Sequence, residues 1–162
     1  MFYNLIGLTG KIFSFEPNHE LASSLRKKYG TCDQIQIINI AVSDFNGLAN
    51  FEVGSDELAA TSSLVQSRGN YEVKVKKIND LVHEFGVPNI IKIDVEGAEV
   101  QIIKNILENV KIYRNISFFI EIHFAIIEGS NDQEAFFMNI KRLKALSKTF
   151  EWIDASHLKF SF

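Results

Sequence analysis

The chain has one cysteine and two prolines among 162 residues, and it contains no long uninterrupted hydrophobic run. A single cysteine, Cys32, excludes an intrachain disulfide and a zinc site built from several thiolates. A reducing, cytoplasmic setting is therefore expected. The most apolar stretch, Ile116 to Ile127, contains Glu121 and His123 and is too short to cross a bilayer. The N-terminal residues lack a basic segment followed by an apolar core, so no signal peptide is predicted.

Positive charge is also scarce. The 17 lysines and arginines are outnumbered by 20 acidic residues, which gives a net charge of −3. This balance argues against a nucleic-acid partner. The hydrophobic fraction of 46% is ordinary for a globular protein, and the length suits one domain, residues 1–162, with a substantial core. No membrane span is expected, and the fourteen phenylalanines are consistent with self-association.

Helical and extended patterns alternate along the chain. Strands are predicted over Lys11 to Phe15, Ile35 to Val42 and Ile90 to Asp94, the last as the central strand. Asn18 is expected to cap a helix that Gly30 ends. Repeated alternation of strand and helix predicts the α/β class with a mostly parallel sheet.

Two acids follow the buried strand at Ile90. Asp94 and Glu96 stand with Gly97 between this strand and a new helix. Open α/β sheets place their chemistry where strand ends meet helix starts. Because carboxylates at such a tip are hard to explain by packing, the segment predicts a functional site.

Glu16 directly follows the first predicted strand. In nucleotide-binding α/β folds a carboxylate here accepts hydrogen bonds from ribose hydroxyls. The alternative is an exposed acid that interacts with the dipole of the next helix. The glycine-rich turn that should lie roughly 20 residues upstream of a ribose-binding acid has no counterpart, since Gly7 and Gly10 are too close.

A series of short motifs carries a family resemblance. In chain order they are Phe15-Glu16-Pro17-Asn18, Ala41-Val42-Ser43-Asp44, Thr61-Ser62-Ser63-Leu64, Lys92-Ile93-Asp94-Val95-Glu96-Gly97-Ala98-Glu99 and Glu121-Ile122-His123. From about Gly10 to about His123 the chain resembles the FkbM-like methyltransferases. These are class I, S-adenosylmethionine-dependent enzymes associated with O-methylation of hydroxyls on natural products and glycans.

The resemblance implies a Rossmann-like fold, with a mostly parallel sheet and helices on both faces. It also implies that Glu16 holds the cofactor ribose, that Ala41 and Val42 border the adenine, and that Asp94 faces the transferred methyl. Packing in the core is an equal alternative for Ala41. Family members begin with a central strand that ends in a glycine-containing turn around the methionine part of the cofactor. That N-terminal motif has no counterpart here, so we expect an N-terminally truncated fold that binds S-adenosylmethionine weakly or not at all.

Three residues are candidates to accept the proton of the hydroxyl that is methylated: Asp94, Glu96 and His123. Glu121 and His123 are two residues apart and share one face of an extended strand. Together with Asp94 they form a possible metal site, although a carboxylate–histidine pair without metal is favoured over it. Glu99 is expected to be structural, and Lys92 is expected to pair with Glu121 or Glu16.

Three functions remain open at this point. The favoured one is an S-adenosylmethionine-dependent O-methyltransferase that acts on a hydroxyl of a small molecule or glycan. The second is a non-catalytic remnant or fragment of such an enzyme that has lost cofactor binding. The third is another nucleotide-dependent α/β enzyme, such as a dehydrogenase. The segments 54–70 and 124–133 are predicted to face the acceptor, but neither encodes its identity.

Overall fold

The computed structural model describes residues 6–52 and 71–162, together with the backbone of 63–65. The strands are β1 Ile12–Phe15, β2 Ile35–Ile38, β3 Ala41–Ser43, β4 Gly47–Glu52, β5 Ser63–Val65, β6 Tyr71–Lys77, β7 Ile90–Ile93, β8 Ser117–Glu121, β9 Thr149–Trp152 and β10 His157–Ser161. The α-helices are α1 His19–Tyr29, α2 Ile78–Phe85, α3 Glu99–Glu108, α4 Phe124–Ile127 and α5 Gln133–Leu146. Most of the segment 54–70, predicted to face the acceptor, lies outside the described residues.

Helix α1 starts where the sequence predicts. The Asn18 side chain accepts hydrogen bonds from the backbone N–H groups of Glu20 and Leu21, at 3.0 and 3.1 Å. These bonds satisfy two of the donors that a helix N-terminus leaves free. Strand β1 precedes the helix and β2 follows it, and the two strands pair in parallel. The segment β1–α1–β2 is therefore a parallel strand pair connected by a helix, as the alternation of strand and helix in the sequence predicts.

The strand expected from Ile35 to Val42 is interrupted, and its halves enter different sheets. β2 pairs with β1, whereas β3 pairs in parallel with β6. At the break the Asn39 side-chain amide donates to the backbone carbonyls of Glu16 and Pro17, at 2.8 Å each. These bonds hold the chain where it leaves the β1–β2 ladder. A continuous apolar run can predict strand character but not a change of partner.

A four-stranded sheet of order β7-β8-β10-β9 carries the main core. Every second residue of β8 and of β10 is buried, so one face of this sheet is covered and the other is half-exposed. The covered face packs against α3 and α5, with fully buried side chains at Ile102, Leu143 and Phe160 among others. The prediction placed helices on both faces of the sheet, whereas the residues of the opposite face keep partial exposure, so the described structure does not confirm that arrangement.

Strand pairing is mixed, so a mostly parallel sheet is not confirmed. β1–β2, β3–β6 and β7–β8 are parallel, while β4–β5, β4–β6, β8–β10 and β9–β10 are antiparallel. A short turn joins β9 to β10, whereas β8 and β10 pair across the intervening α4, α5 and β9. Within the described residues β7 is an edge strand rather than the expected central one.

Two further features complete the fold. Helix α2 begins at Ile78 after Lys77, so the polar residues Asn79 and Asp80, which are typical of helix caps, lie inside it. Asn79 is buried and accepts a hydrogen bond from the Tyr113 hydroxyl instead. None of the helices in the described part of the chain is long and apolar enough to cross a membrane.

Candidate functional site

Two parallel strands bring the predicted site residues together. β7 and β8 pair in parallel with Ile93 opposite Ile120, so their carboxyl ends meet at one edge of the sheet. Asp94 follows β7 directly, and His123 comes two residues after the end of β8. His123 then precedes α4, and its carbonyl accepts from Ile126 N–H at 2.9 Å. The backbone on both sides of the histidine is thereby held in place.

The His123 imidazole lies among carboxylates. Its Nε2 atom is 3.3 Å from Glu96 Oε1 and 3.9 Å from Asp94 Oδ1. The side chain of His123 keeps 19% of its surface exposed, and that of Asp94 keeps 40%. The structure therefore brings all three predicted proton acceptors into one cluster that solvent reaches.

Glu99 closes the opposite side of the imidazole. It is the first residue of α3 and is fully buried, and its Oε1 atom lies 2.5 Å from His123 Nδ1. The same oxygen accepts from Gly97 N–H at 3.2 Å. The sequence gives Glu99 no functional signal, because an acid in the first turn of a helix is explained by the dipole alone. Only its contact with His123 distinguishes it.

The turn between β7 and α3 is held in an unusual conformation. Glu96 has a φ of 44°, in the left-handed region that residues with side chains rarely adopt, and Gly97 follows with a φ of 102°. Strained backbone of this kind persists only where the surroundings hold it, and it concentrates at functional sites. Here the turn aims the Glu96 carboxylate at the imidazole.

Lys92 pairs with a different acid from those expected. Its Nζ atom donates to Asp94 Oδ2 at 2.6 Å, so the predictions of Glu121 or Glu16 as partner are wrong. Residues two apart on a strand face the same side, which explains the contact. The lysine engages one oxygen of Asp94 and leaves Oδ1 toward His123.

The charges around the imidazole shift two pKa values. Burial lowers the pKa of His123, but its hydrogen bond to Glu99 and the charges of Glu99, Glu96 and Asp94 outweigh burial, so the net pKa is raised. Burial raises the pKa of Glu96, His123 lowers it, and the nearby carboxylates of Asp94, Glu99 and Glu121 raise it further. The carboxylates around the ring therefore favour the protonated form of His123.

Glu121 does not contact His123 in the described structure. Its Oε2 atom lies 3.4 Å from Nε2 of His157, the residue directly opposite it on β10. The metal set Asp94, Glu121 and His123 is therefore not assembled. A different set, Asp94, Glu96 and His123, offers one ligand atom each within 4.8 Å of one another. Oxygen and imidazole donors of this type suit a divalent transition metal, although a protonated imidazole satisfies the same carboxylates.

The three residues predicted to bind the nucleoside lie in other elements. Glu16 follows β1 and accepts from Asn18 N–H at 2.8 Å, and burial raises its pKa more than this bond lowers it. Ala41 is 3% exposed in a small core with Phe51, Val73 and Val75, so its side chain is a packing group. Val42 packs against the main core. The prediction that β3 borders the adenine therefore rests on its backbone and on partly exposed Val42, not on the Ala41 side chain.

Fold and cluster together define an α/β domain with an acid–imidazole site at the carboxyl ends of two parallel strands. The sequence profile described as "Methyltransferase FkbM domain" matches residues 1–151. The chain belongs to this family of methyltransferases.

The chain is also similar to two methyltransferases. The 2-O-methyltransferase NoeI of Sinorhizobium fredii (strain NBRC 101917 / NGR234) is 27% identical over an alignment that covers 57% of this chain and 46% of NoeI. The crystal structure of methyltransferase FkbM from Methylobacillus flagellatus KT superposes with a TM-score of 0.53 and 14% identity. That superposition covers 98% of this chain and 39% of the other, and at this identity it shows similarity of fold alone. The chain therefore spans less than half the length of either relative.

Proposed function

We propose that this chain carries the catalytic edge of an S-adenosylmethionine-dependent O-methyltransferase that acts on a hydroxyl of a small molecule or glycan. The observation that supports it most is the placement of His123 Nε2 beside Glu96 and Asp94, at the edge where β7 and β8 end. Methyl transfer to a hydroxyl requires alignment of two reactants and a group that removes one proton. An imidazole with a raised pKa between carboxylates provides the second requirement.

The described residues suit parts of the cofactor, although the segment that wraps its methionine part has no counterpart in the sequence. When bound, S-adenosylmethionine supplies a methyl group activated by a positively charged sulfonium. Asp94 and Glu96 place negative charge at the strand edge, which favours a cationic group there. Glu16 is an acceptor-only group when ionised, and its described hydrogen bond engages only Oε1. We assign Glu16 to the ribose, and the Ala41–Val42 backbone to the adenine.

We assign to His123 the role of accepting the proton of the hydroxyl that is methylated. Its Nε2 atom is the ring nitrogen that faces the exposed side of the cluster, whereas Nδ1 faces buried Glu99. As the acceptor oxygen forms its bond to the methyl carbon, its proton passes to Nε2. Asp94, held by Lys92 through one oxygen, orients the hydroxyl through the other. Glu96 stabilises the imidazolium that results.

Two considerations support this function over its alternatives. NoeI is named a 2-O-methyltransferase, and oxygen is the acceptor for which a general base is useful, because a hydroxyl must lose its proton. A dehydrogenase could use an imidazole–carboxylate pair in the same way, so the match of residues 1–151 to a methyltransferase family is what favours methyl transfer over it. The non-catalytic alternative predicts that the wild-type chain neither transfers a methyl group nor binds the cofactor.

A transfer assay tests the proposal. The purified chain is incubated with methyl-labelled S-adenosylmethionine and a panel of sugars and hydroxylated small molecules, and label in the acceptor is measured. We expect the transfer rate to fall by about a hundredfold or more in His123→Ala, because a general base contributes a factor of this size. Glu151→Gln, an exposed change on β9, serves as the control. Absence of both transfer and cofactor binding in calorimetry would favour the non-catalytic remnant.

A further inference from the structure

Glu99 is a buried carboxylate with a specific partner. It is 0% exposed, and its Oε1 atom accepts from both His123 Nδ1 and Gly97 N–H. Its second oxygen has no hydrogen-bond partner among the described residues. Burial of a carboxylate is costly unless strong hydrogen bonds compensate. An acid that only stabilised the start of a helix could do so while exposed to solvent. The burial of the Glu99 side chain therefore calls for another explanation.

The contact determines which ring nitrogen holds the proton. An ionised carboxylate can only accept hydrogen bonds, so the nitrogen that bonds to it must be protonated. Neutral His123 then has its hydrogen on Nδ1, and its lone pair is on Nε2. Nε2 is the atom that faces Glu96 and Asp94, on the side that keeps solvent contact. The imidazole is thus oriented with its basic nitrogen toward the open edge of the sheet.

Both partners are restrained independently. Glu99 is held by Gly97 N–H and by its place at the start of α3. His123 is held through its carbonyl, which accepts from Ile126 and Ile127 at the start of α4. A pair restrained from two elements keeps its geometry through a proton-transfer cycle, which a flexible surface pair does not.

We infer that Glu99 is a positioning residue that keeps His123 in the Nδ1–H tautomer, with Nε2 free to take a proton from the methyl acceptor. The inference rests on the proposed function. In the step, the acceptor oxygen forms a bond to the methyl carbon, the carbon–sulfur bond of the donor breaks with its electron pair remaining on sulfur, and the hydroxyl proton moves to Nε2. The resulting imidazolium is balanced by Glu99 and then loses the Nε2 proton to solvent.

Nitrogen NMR of the histidine ring tests the positioning without any need for activity. The purified chain is labelled with ¹⁵N-histidine, and the shifts of the two His123 ring nitrogens are followed from pH 5 to 10. Glu99→Gln keeps the Oε1 acceptor and removes the charge, so the tautomer is expected to persist while the pKa of His123 falls. Glu99→Ala removes both, so a mixture of tautomers is expected.

Asp154→Asn is the matched control. Asp154 Oδ1 lies 2.9 Å from His157 Nδ1, so it presents the same chemical pair at an exposed hairpin. This variant should change the titration of His157 and leave that of His123 unaltered. If wild-type His123 is neutral as the Nε2–H tautomer, or if Glu99→Gln leaves its titration unchanged, the inference is overturned whether or not the chain transfers methyl groups.

The kinetic readout separates positioning from simple structural support. In the transfer assay, Glu99→Gln is expected to shift the acidic limb of the kcat profile to lower pH in parallel with the NMR titration. Glu99→Ala should lower kcat by about tenfold to a hundredfold, part of the contribution of a general base, with little change in KM. If the NMR titration of His123 shifts in Glu99→Gln as expected but the pH profile of kcat does not, the catalytic part of the inference is overturned. No transfer by wild type would overturn the proposed function and that part together.

Discussion

Gly97 lies against Ile126 so closely that a Cβ atom on residue 97 would be 2.9 Å from Ile126 Cγ2. The contact joins the turn after β7 to α4, the two segments that supply Glu96 and His123. The site geometry therefore depends on a close approach that only glycine permits at this position.

Gly97→Ala should disturb this contact. The φ of 102° is unfavourable for alanine, and the added methyl group would displace Ile126. Gly86 has a φ of 91° with nothing within 4 Å of an added Cβ, so Gly86→Ala carries the backbone strain alone. We expect each change to cost about 1 kcal/mol in backbone strain, with a further loss only at residue 97. Urea denaturation of both variants measures the difference, and equal losses would contradict the close-contact interpretation.

Asn18→Ala should weaken the start of α1. The substitution removes the acceptor for Glu20 and Leu21 N–H, and such caps contribute about 1 kcal/mol. Asp132 occupies the corresponding position before α5 without a side-chain capping bond, so Asp132→Ala should cost less. Chemical denaturation of the two variants compares the caps directly. A larger loss at Asp132 would show that the Asn18 bonds contribute little.

Stability should fall as pH rises through the titration of His123. Its folded pKa is raised above the ordinary value near 6.5, because the charges of Glu99, Glu96 and Asp94 outweigh burial. The folded state therefore binds the proton more tightly, and the stabilisation is fully present below pH 6.5 and lost above the folded pKa. The free energy of unfolding, measured from pH 5.5 to 9, should show this decline in wild type.

Two variants isolate the histidine responsible. His123→Gln should remove most of the decline between pH 6.5 and the folded pKa. His157 has a raised pKa as well, through its hydrogen bond to Asp154, but it is exposed, so His157→Gln should have a smaller effect. Glu96, whose pKa is raised mainly by burial, adds a decline in the same direction at lower pH, starting near 4.5. An unchanged pH dependence in His123→Gln would show that its carboxylate contacts do not form.

Asp94→Asn should lower turnover more than it changes folding. The side chain keeps 40% of its surface exposed and asparagine has nearly the same shape, so packing changes little, whereas the negative charge at the strand edge and the ion pair with Lys92 are lost. We expect a decrease in kcat of about tenfold or more, with a change in unfolding free energy below about 1 kcal/mol. Transfer kinetics and thermal unfolding on the same preparation separate the two effects. Undiminished turnover would remove Asp94 from the mechanism.

The sequence predicted the local elements well where the signal is local. The cap at Asn18, the end of β1 before Glu16 and the limits of β7 follow from residue type and spacing. The convergence of Asp94 and His123 followed from the family resemblance, which implied that their strands are neighbours; parallel neighbours bring their carboxyl ends to one edge. The pairing of Lys92 with Asp94 was missed, although a spacing of two residues in a strand was a sufficient clue.

Other features were beyond local reasoning. Because Glu121 lies two residues before His123, the sequence predicts that both face the same site. In the structure β10 runs antiparallel beside β8, and it places His157 opposite Glu121 as its partner. The interruption at Asn39 sends β3 to another sheet, which no periodicity records. Both outcomes depend on strands distant in the chain.

Alternating patterns in the sequence predicted an α/β protein with acids at the tip of a buried strand, and the resemblance of its motifs to a known family indicated the FkbM methyltransferases, which the family match confirmed. The tertiary structure decided which of those groups meet. Glu99 and His123 are 24 residues apart, and only the packing of α3 beside the end of β8 brings Oε1 to Nδ1. Hydrogen bonding is a short-range interaction, so its partners are selected by the folded backbone rather than by the order of residues along the chain.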